Sequence, residues 1–403
     1  MRGSLHSGGV FGRIRSGDPA LQRVRPPSIT TIMHIRHQPL IAPAVGTSRQ
    51  ITSFHYGPGG AQKVYIQSSV HADELPAMLV AWALRRRFAA LEAAGRIRGE
   101  IVVVPVANPV GLAQYQFGHL HGRFDTNSAQ NFNRNFHDLA SLVPPQIDAQ
   151  LTQDENANRD TIRKAIGDAL LALQPGTELG SQRVALQRLS YDADIVLDLH
   201  CDLEAALHLY TTAELWPDVE PLARYLDAKA SLLVLNSLGN PFEEIHSFCW
   251  SKLRERFGSR YPVPLAAISV TIEFRGQRDV TYDLAERDAD AIVEYLTLRG
   301  VIDGQPASLP PLAHDATPLA GTEPVIAPSS GVLVFRAETG AWLEAGAPIA
   351  DIVNPLTDEV ITLRNSVSGV LYARHGTRFA TAGMEVARIA GSQPIRAGSL
   401  LSQ

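Results

Sequence analysis

The sequence predicts an α/β protein with a mostly parallel, helix-covered sheet, followed by a C-terminal β-rich unit. Three observations carry this expectation. Short apolar or β-branched runs alternate with helical patterns from about residue 61 to residue 300. Those runs are close to continuously apolar, as expected of strands buried on both faces by flanking helices. Beyond residue 300 the helical period disappears, and short strands separated by glycines take over.

Along the chain, the first 32 residues are rich in arginine and carry Asp18 as their single acid. They lack the 7–15-residue apolar core of a secretory signal. Composition alone would also fit a transit peptide, but residues 1–39 are read as a disordered extension ahead of the folded part, with Met33 as an internal start. Strands are expected over 63–70, 100–107, 193–200, 207–211 and 267–274. A helix over 75–95 has Pro76 near its start and Gly95 past its end, the usual asymmetry of helix termini. Another over 282–300 closes the region, with Asp283 as its expected cap and Gly300 as its stop. The α/β domain is placed at 40–312.

The next stretch, DGQPASLPPLAHDATPLAGTEPVIAP, contains six prolines and reads as a linker with extended passages. An internal echo follows. SGVLVFRAETGAWLEAGAPIADI, starting at Ser330, is answered by SGVLYARHGTRFATAGMEVARI, starting at Ser368. Two similar halves of four short strands suggest a small quasi-twofold β-sandwich over 313–395. It resembles the lipoyl/biotinyl type of barrel-sandwich domain. A working carrier would need a lysine at a hairpin tip, and the last lysine in the chain is Lys252. Covalent biotin or lipoate attachment is thereby excluded, and a packing or substrate-gating role is left.

Composition narrows the function classes. With 45% hydrophobic residues the chain is an ordinary globular protein, and its net charge of −5 supplies no basic field for nucleic acid or an anionic membrane. Apolar runs such as LVAWAL are far short of the ~20 residues of a membrane span. Cys201 and Cys249 cannot form a disulfide framework and suit a reducing compartment, so a cytoplasmic location is expected. Cys201 itself reads as a small, half-buried, inert strand residue.

The chemistry concentrates in four stretches. In HADELPAM, His71 and Glu74 stand three apart where a strand gives way to a helix, a spacing that lets both grip one ion. Asp73 and Glu74 can equally be acids that favour a helix N-terminus. In ADIVLDLHCD, His200 closes a buried strand, at the carboxyl end where ligands gather in open α/β sheets. It can be a third metal ligand or a hydrogen-bonded core histidine, with Asp198 two positions back as an orienting partner. In AISVTIEFRG, Glu273 lies within an apolar strand. A buried acid there needs a partner, such as Arg275 or Arg278, or a task as a general base. In GRFDTNSAQNFNRNFHD, Arg123 and Arg134 sit in a loop rich in glycine, asparagine and phenylalanine. They are either solvated side chains or a pocket rim that binds carboxylates and steadies an oxyanion.

HADE, NFNRNF, DLHCD and TIEFRG, in this order, resemble the succinylglutamate desuccinylase/aspartoacylase family, a branch of the zinc carboxypeptidase-like hydrolases. The likeness spans roughly residues 40 to 390 and implies a mixed sheet flanked by helices with a β-rich tail. It implies one zinc ion held by His71, Glu74 and His200, with Glu273 as general base. Arg123 looks like the family's carbonyl-polarising arginine, and Asn133 with Arg134 like its carboxylate-binding pair. In two places the chain departs from the pattern. His137 follows Phe136 where the family often has proline, and the spacing from Arg123 to Asn133 is longer than in aspartoacylases proper. HADELPAM and DLHCDLEAALHLYT sit closer to bacterial members resembling N-acetyl-diaminobutyrate deacetylase.

The expectation is a zinc-dependent hydrolase that removes an acyl group from a small N-acyl amino acid, with neither nucleic acid nor membrane as partner. Two other readings stand beside it: a zinc carboxypeptidase acting on peptides, and a non-catalytic metabolite-binding protein on the same fold. Homo-oligomerisation is left open.

Overall fold

The computed structural model describes residues 33–235, 239–397 and 400. Residues 1–32, most of the expected N-terminal extension, lie outside them. The chain enters through strands β1 (His34–Pro39) and β2 (Gln50–Tyr56), then β3 (Lys63–Ser68), helix α1 (Leu75–Ala93) and β4 (Glu100–Val104). A short α2 (Pro109–Leu112), the hairpin β5 (Tyr115–Gln116) and β6 (His119–Leu120), and α3 (Leu139–Leu142) lead to α4 (Glu155–Ala172) and α5 (Glu178–Ser190). Next come β7 (Ile195–Asp202), β8 (Glu204–Ala205), β9 (His208–Thr212), α6 (Trp216–Tyr225) and β10 (Ala230–Val234). The region ends with α7 (Phe242–Phe257), β11 (Ile268–Gly276), α8 (Tyr282–Leu298) and the edge strand β12 (Thr317–Pro318).

These strands form a nine-stranded sheet in the order β1-β2-β4-β3-β7-β11-β9-β10-β12. The sheet is mixed. β4, β3, β7 and β11 run parallel, whereas β9 is antiparallel to β11, and β2 is antiparallel to both β1 and β4. His34–Pro39, read from sequence as extension, is instead the edge strand β1, paired residue by residue with Gln50–His55.

The period-two alternation of β7 divides the core between two faces. Ile195, Leu197 and Leu199 pack on one face with residues of α1, α6 and α8. Val196 packs on the other with α3, α4, α5 and α7. The cap of α8 differs from expectation. Thr281 accepts the hydrogen bond from the Leu284 backbone N–H, and Asp283 lies inside the first turn, where its charge meets the helix dipole. Gly95 and Gly300 take positive φ just past α1 and α8, where a side chain would be strained.

The tail contains β13 (Thr322–Ile326), β14 (Gly331–Phe335), β15 (Trp342–Leu343) and β16 (Pro348–Val353). These are repeated as β17 (Val360–Arg364), β18 (Gly369–Arg374), β19 (Phe379–Ala380) and β20 (Glu385–Gly391). One sheet runs β13-β20-β18-β15 and the other β17-β16-β14-β19. Exchanging the two halves of the echo turns one order into the other, so the sequence repeat is a structural twofold. Leu333, Ile349, Ile352, Leu371, Val386 and Ile389 fill the space between the sheets. The tail also packs on the main sheet. Tyr210, Leu232 and Val234 of β9 and β10 form one apolar cluster with Val370, Tyr372 and Ala390. Strand β8 pairs with β18, which ties the tail to the residues that follow β7.

Candidate active site

The carboxyl ends of β3, β7 and β11 converge on one spot. β3 stops at Ser68, and Ser69 turns the chain with φ 61°, a left-handed value unusual for a residue with a side chain. The turn brings His71 and Glu74 to the front of α1. Glu74 holds the cap position of that helix, yet its side chain makes no capping bond. Its carboxylate points instead to two imidazoles. Oε1 lies 2.9 Å from His71 Nδ1, and Oε2 lies 2.7 Å from His200 Nδ1. All three residues are buried, and their ligating atoms lie within 4.8 Å of one another.

The far sides of both rings are occupied. His71 Nε2 lies 2.8 Å from Asn131 Oδ1. His200 Nε2 lies 3.1 Å from Asp198 Oδ2, an ion-pair distance without the alignment of a good hydrogen bond. Asp198 is held in turn by Gln67 Nε2 at 3.0 Å, and the Asn131 carbonyl by Arg183 Nη2 at 3.1 Å. Each imidazole therefore presents Nδ1 to the centre from an orientation set by a second group, the arrangement typical of metal-binding histidines. Two imidazoles and one carboxylate form a donor set that suits zinc and accepts other divalent ions.

Electrostatics follow from this packing. Burial pushes His200 down, but the flanking carboxylates of Asp198 and Glu74 outweigh it and hold the ring well above the usual histidine value. Burial likewise pushes Glu74 up, and the two histidines reverse that, leaving it below the usual carboxylate range. His71 is lowered by burial and by the Arg123 guanidinium. Asp198 and Glu74 would favour a bound cation for the same reason that they favour a proton on His200.

Glu273 stands directly beside His200 across the β11–β7 ladder. One edge of the residue lines the cavity, while Oε2 is shut off from solvent without a hydrogen-bond partner among the described residues. Burial raises its carboxyl well above the usual range. Of the ion pairs offered from sequence, with Arg275 or Arg278, the one with Arg275 is not formed. Arg275 turns away at φ 62° and makes a two-pronged contact with Asp288 at 2.7 and 2.8 Å.

The asparagine-rich loop forms another part of the rim. Gly122 makes this possible, because a Cβ there would sit 2.1 Å from the Asp73 backbone nitrogen. Beside it, Arg123 Nη1 lies 3.5 Å from Glu74 Oε1. Asn133 and Arg134 line the same cavity of about 230 Å³. The Asn133 side chain is engaged with the start of α7: Oδ1 accepts from the Phe242 N–H at 2.8 Å, and Nδ2 donates to Glu243 Oε2 at 3.3 Å. The seven residues expected as metal ligands, general base or substrate contacts thus border one cavity. A larger hollow of about 410 Å³ lies by Lys229, His314 and Trp342, where the linker meets the tail, away from the His/Glu cluster.

Several lining residues were not anticipated. Glu243 reads in sequence as a helix-first-turn acid, and Tyr210 and Arg388 carry no local signal because they reach the cavity through tertiary contacts. Cys201 lines the cavity too. Burial, aided by nearby carboxylates, pushes its thiol well up, so it stays protonated and unreactive.

Comparison with known proteins adds an independent line. The catalytic-domain profile of the succinylglutamate desuccinylase/aspartoacylase family matches residues 60–173. No curated protein matches the chain significantly. Among solved structures, a protein from Shewanella amazonensis SB2B, assigned to that family, is 25% identical with a TM-score of 0.76, covering 89% of this chain and 98% of its own. One from Shewanella frigidimarina NCIMB 400, with the same assignment, is 25% identical with a TM-score of 0.76, covering 90% and 98%. The product-bound ectoine utilization protein EutE (DoeB) from Ruegeria pomeroyi shares the fold at 14% identity, with a TM-score of 0.63 and coverage of 89% and 95%. The ordered motifs, the match and the fold agree: residues 60–173 match the catalytic domain of the succinylglutamate desuccinylase/aspartoacylase family, and the chain takes the fold of solved structures assigned to that family.

Proposed function

We propose that the chain is a zinc-dependent amidohydrolase that removes the acyl group from a small N-acyl amino acid. The observation that carries this reading is the buried convergence of His71, Glu74 and His200 beside Glu273 on one cavity. His71 Nδ1, a Glu74 carboxylate oxygen and His200 Nδ1 would hold the ion. Bound there, zinc supplies Lewis acidity, polarising the acyl carbonyl and acidifying the attacking water.

The chain's own groups do the rest. Glu273 takes the proton from water at its carboxylate and returns it to the departing nitrogen. Arg123 directs Nη1 at the carbonyl oxygen as negative charge builds there. Arg134 anchors the substrate carboxylate. Its guanidinium is depressed by burial, and such a site rewards a counter-anion. Asn133, fastened to α7, sets the position of that arginine.

A cavity of about 230 Å³ is smaller than the roughly 300–1,000 Å³ of drug-sized ligand sites, which favours a small acyl amide over a peptide. The complete ligand set with a base beside it argues against a purely binding role. Of the described helices, none is long and apolar enough to cross a membrane. Cys201 and Cys249 are free and buried, in keeping with a cytoplasmic setting. We assign the catalytic part to residues 40–312, extended by the sheet strands on either side, and the β-sandwich to 313–395.

The test is elemental analysis of wild type and His200→Ala purified without added metal, followed by a panel of N-acyl amino acids. Near-stoichiometric zinc in the wild type, lost in the variant, together with hydrolysis of at least one panel member is expected. A folded wild type that takes up no zinc even when it is supplied would overturn the proposal.

A further inference from the structure

The tail does more than lean on the catalytic part. On the sheet face that carries the site, α4, α5 and α7 cover one portion and the tail covers β9 and β10. The cavity lies between these covers. Its α7 side carries Arg134 and Glu243, and its tail side carries Tyr210 and, from β20, Arg388.

Arg388 is held but not saturated. Nε donates to Glu385 Oε1 within the tail. Nη1 lies 3.4 Å from Asp202 Oδ2, at the long limit of a hydrogen bond. Nη2 has no hydrogen-bond partner among the described residues, and the side chain is 27% exposed, enough for a ligand to reach it. A purely structural arginine would be expected to close the junction between tail and sheet. That junction is already closed elsewhere: Arg374 Nε meets Glu204 Oε2 at 2.7 Å, and Arg378 Nη2 meets both Glu204 oxygens at 2.6 and 2.7 Å. Tyr210 lines the same side of the cavity as Arg388. Arg134, from the asparagine-rich loop, and Arg388, from β20, both line the cavity, so it offers two cationic side chains from different parts of the chain.

We propose that Arg388 is a specificity-determining residue: from the tail it binds a carboxylate that the substrate carries away from the scissile bond, distinct from the one held by Arg134. The β-sandwich thereby takes part in reading the substrate. This rests on the amidohydrolase reading above. A guanidinium suits the task because it donates in a fixed fork that matches a carboxylate, and a partly desolvated setting strengthens that contact.

The experiment uses the full-length, zinc-loaded protein with Arg388→Gln and Arg388→Lys. Each is assayed on substrate pairs that differ in one charge. N-succinyl-L-alanine against N-butyryl-L-alanine tests a carboxylate on the acyl side. N-acetyl-L-glutamate against N-acetyl-L-glutamine tests one on the amino-acid side. The wild type should prefer the charged member of one pair. In Arg388→Gln the ratio of kcat/KM between charged and neutral members should fall about 30-fold or more, carried by KM, with part of it recovered in Arg388→Lys. A ratio unchanged in the variants, or a wild type with no preference in either pair, would overturn the assignment. If the wild type hydrolyses none of these, the function proposed above fails, and calorimetry decides on Arg388 separately. Succinate binding more tightly than butyrate, with the difference lost in Arg388→Gln, supports the site. Equal binding of the two acids by wild type removes it.

Discussion

Glu74 sits where a helix-capping side chain would bond to its own backbone, and it turns to two histidines instead. That local departure marks function at the residue scale, and its neighbours give two tests. Glu273 has a buried carboxylate oxygen without a hydrogen-bond partner among the described residues, a costly arrangement unless the group has a task. Glu273→Gln keeps shape and removes the base, so kcat should fall by roughly 10²–10⁴ while zinc content is retained. Turnover within tenfold of wild type would assign the base elsewhere. Asn131 supplies the oxygen that fixes the His71 ring. Asn131→Ala should weaken zinc binding by about 10–100-fold, read by competition with a chelator. Unchanged affinity would mean that packing alone orients His71. The ligands were legible in the sequence because metal chemistry admits few residue types, and a strand end followed by a helix start confines their spacing. Asn131 was legible only as part of a polar rim. Glu243 and Arg388 were not, since one resembles any helix-first-turn acid and the other arrives from a strand almost two hundred residues beyond His200.

At the scale of elements, legibility followed local pattern. β3, β7, β11 and α1 announce themselves by apolar runs and by the placing of Pro76 and Gly95. The twofold tail is visible because its two halves echo each other in sequence. β1 was missed: three of its six residues, His34, Arg36 and His37, are exposed polar or basic ones, as befits an edge strand, and it gives no apolar run. The antiparallel setting of β9 was missed because direction leaves no trace in composition. Helix α7 carries a testable consequence of burial. His246 is fully enclosed, with Nε2 3.0 Å from Ser190 Oγ, and burial drives its pKa down to about 3. An unfolded histidine titrates near 6.5, so below that pH the unfolded chain binds a proton that the folded one refuses. The stability that the neutral ring contributes is complete above pH 6.5 and is lost as the pH falls toward about 3. Urea unfolding of wild type and His246→Gln over that window should show the wild type losing, relative to the variant, about tenfold in folding constant per pH unit. Parallel pH profiles would contradict it.

For the whole molecule, the question is whether the tail melts by itself. Its twofold core could in principle stand alone, but one of its sheets also serves as a cover for β9 and β10. The join is varied in kind. β8 pairs with β18, the Ala206 N–H donates to the Tyr372 carbonyl at 2.9 Å, and Arg374 and Arg378 grip Glu204. Unfolding the tail would strip Tyr210, Leu232 and Val234 of their apolar neighbours and leave Glu204 without either arginine. That penalty makes separate melting unfavourable, so calorimetry of the full chain should show one cooperative transition. Glu204→Ala keeps both cores and removes the acid from the join. It should destabilise the whole protein by about 1–3 kcal/mol, shifting that single transition without splitting it. Two resolved transitions, with only one sensitive to Glu204→Ala, would show instead that the sandwich is an independent unit resting against the catalytic sheet. The cavity wall at Arg388 would then depend on how often the two were docked.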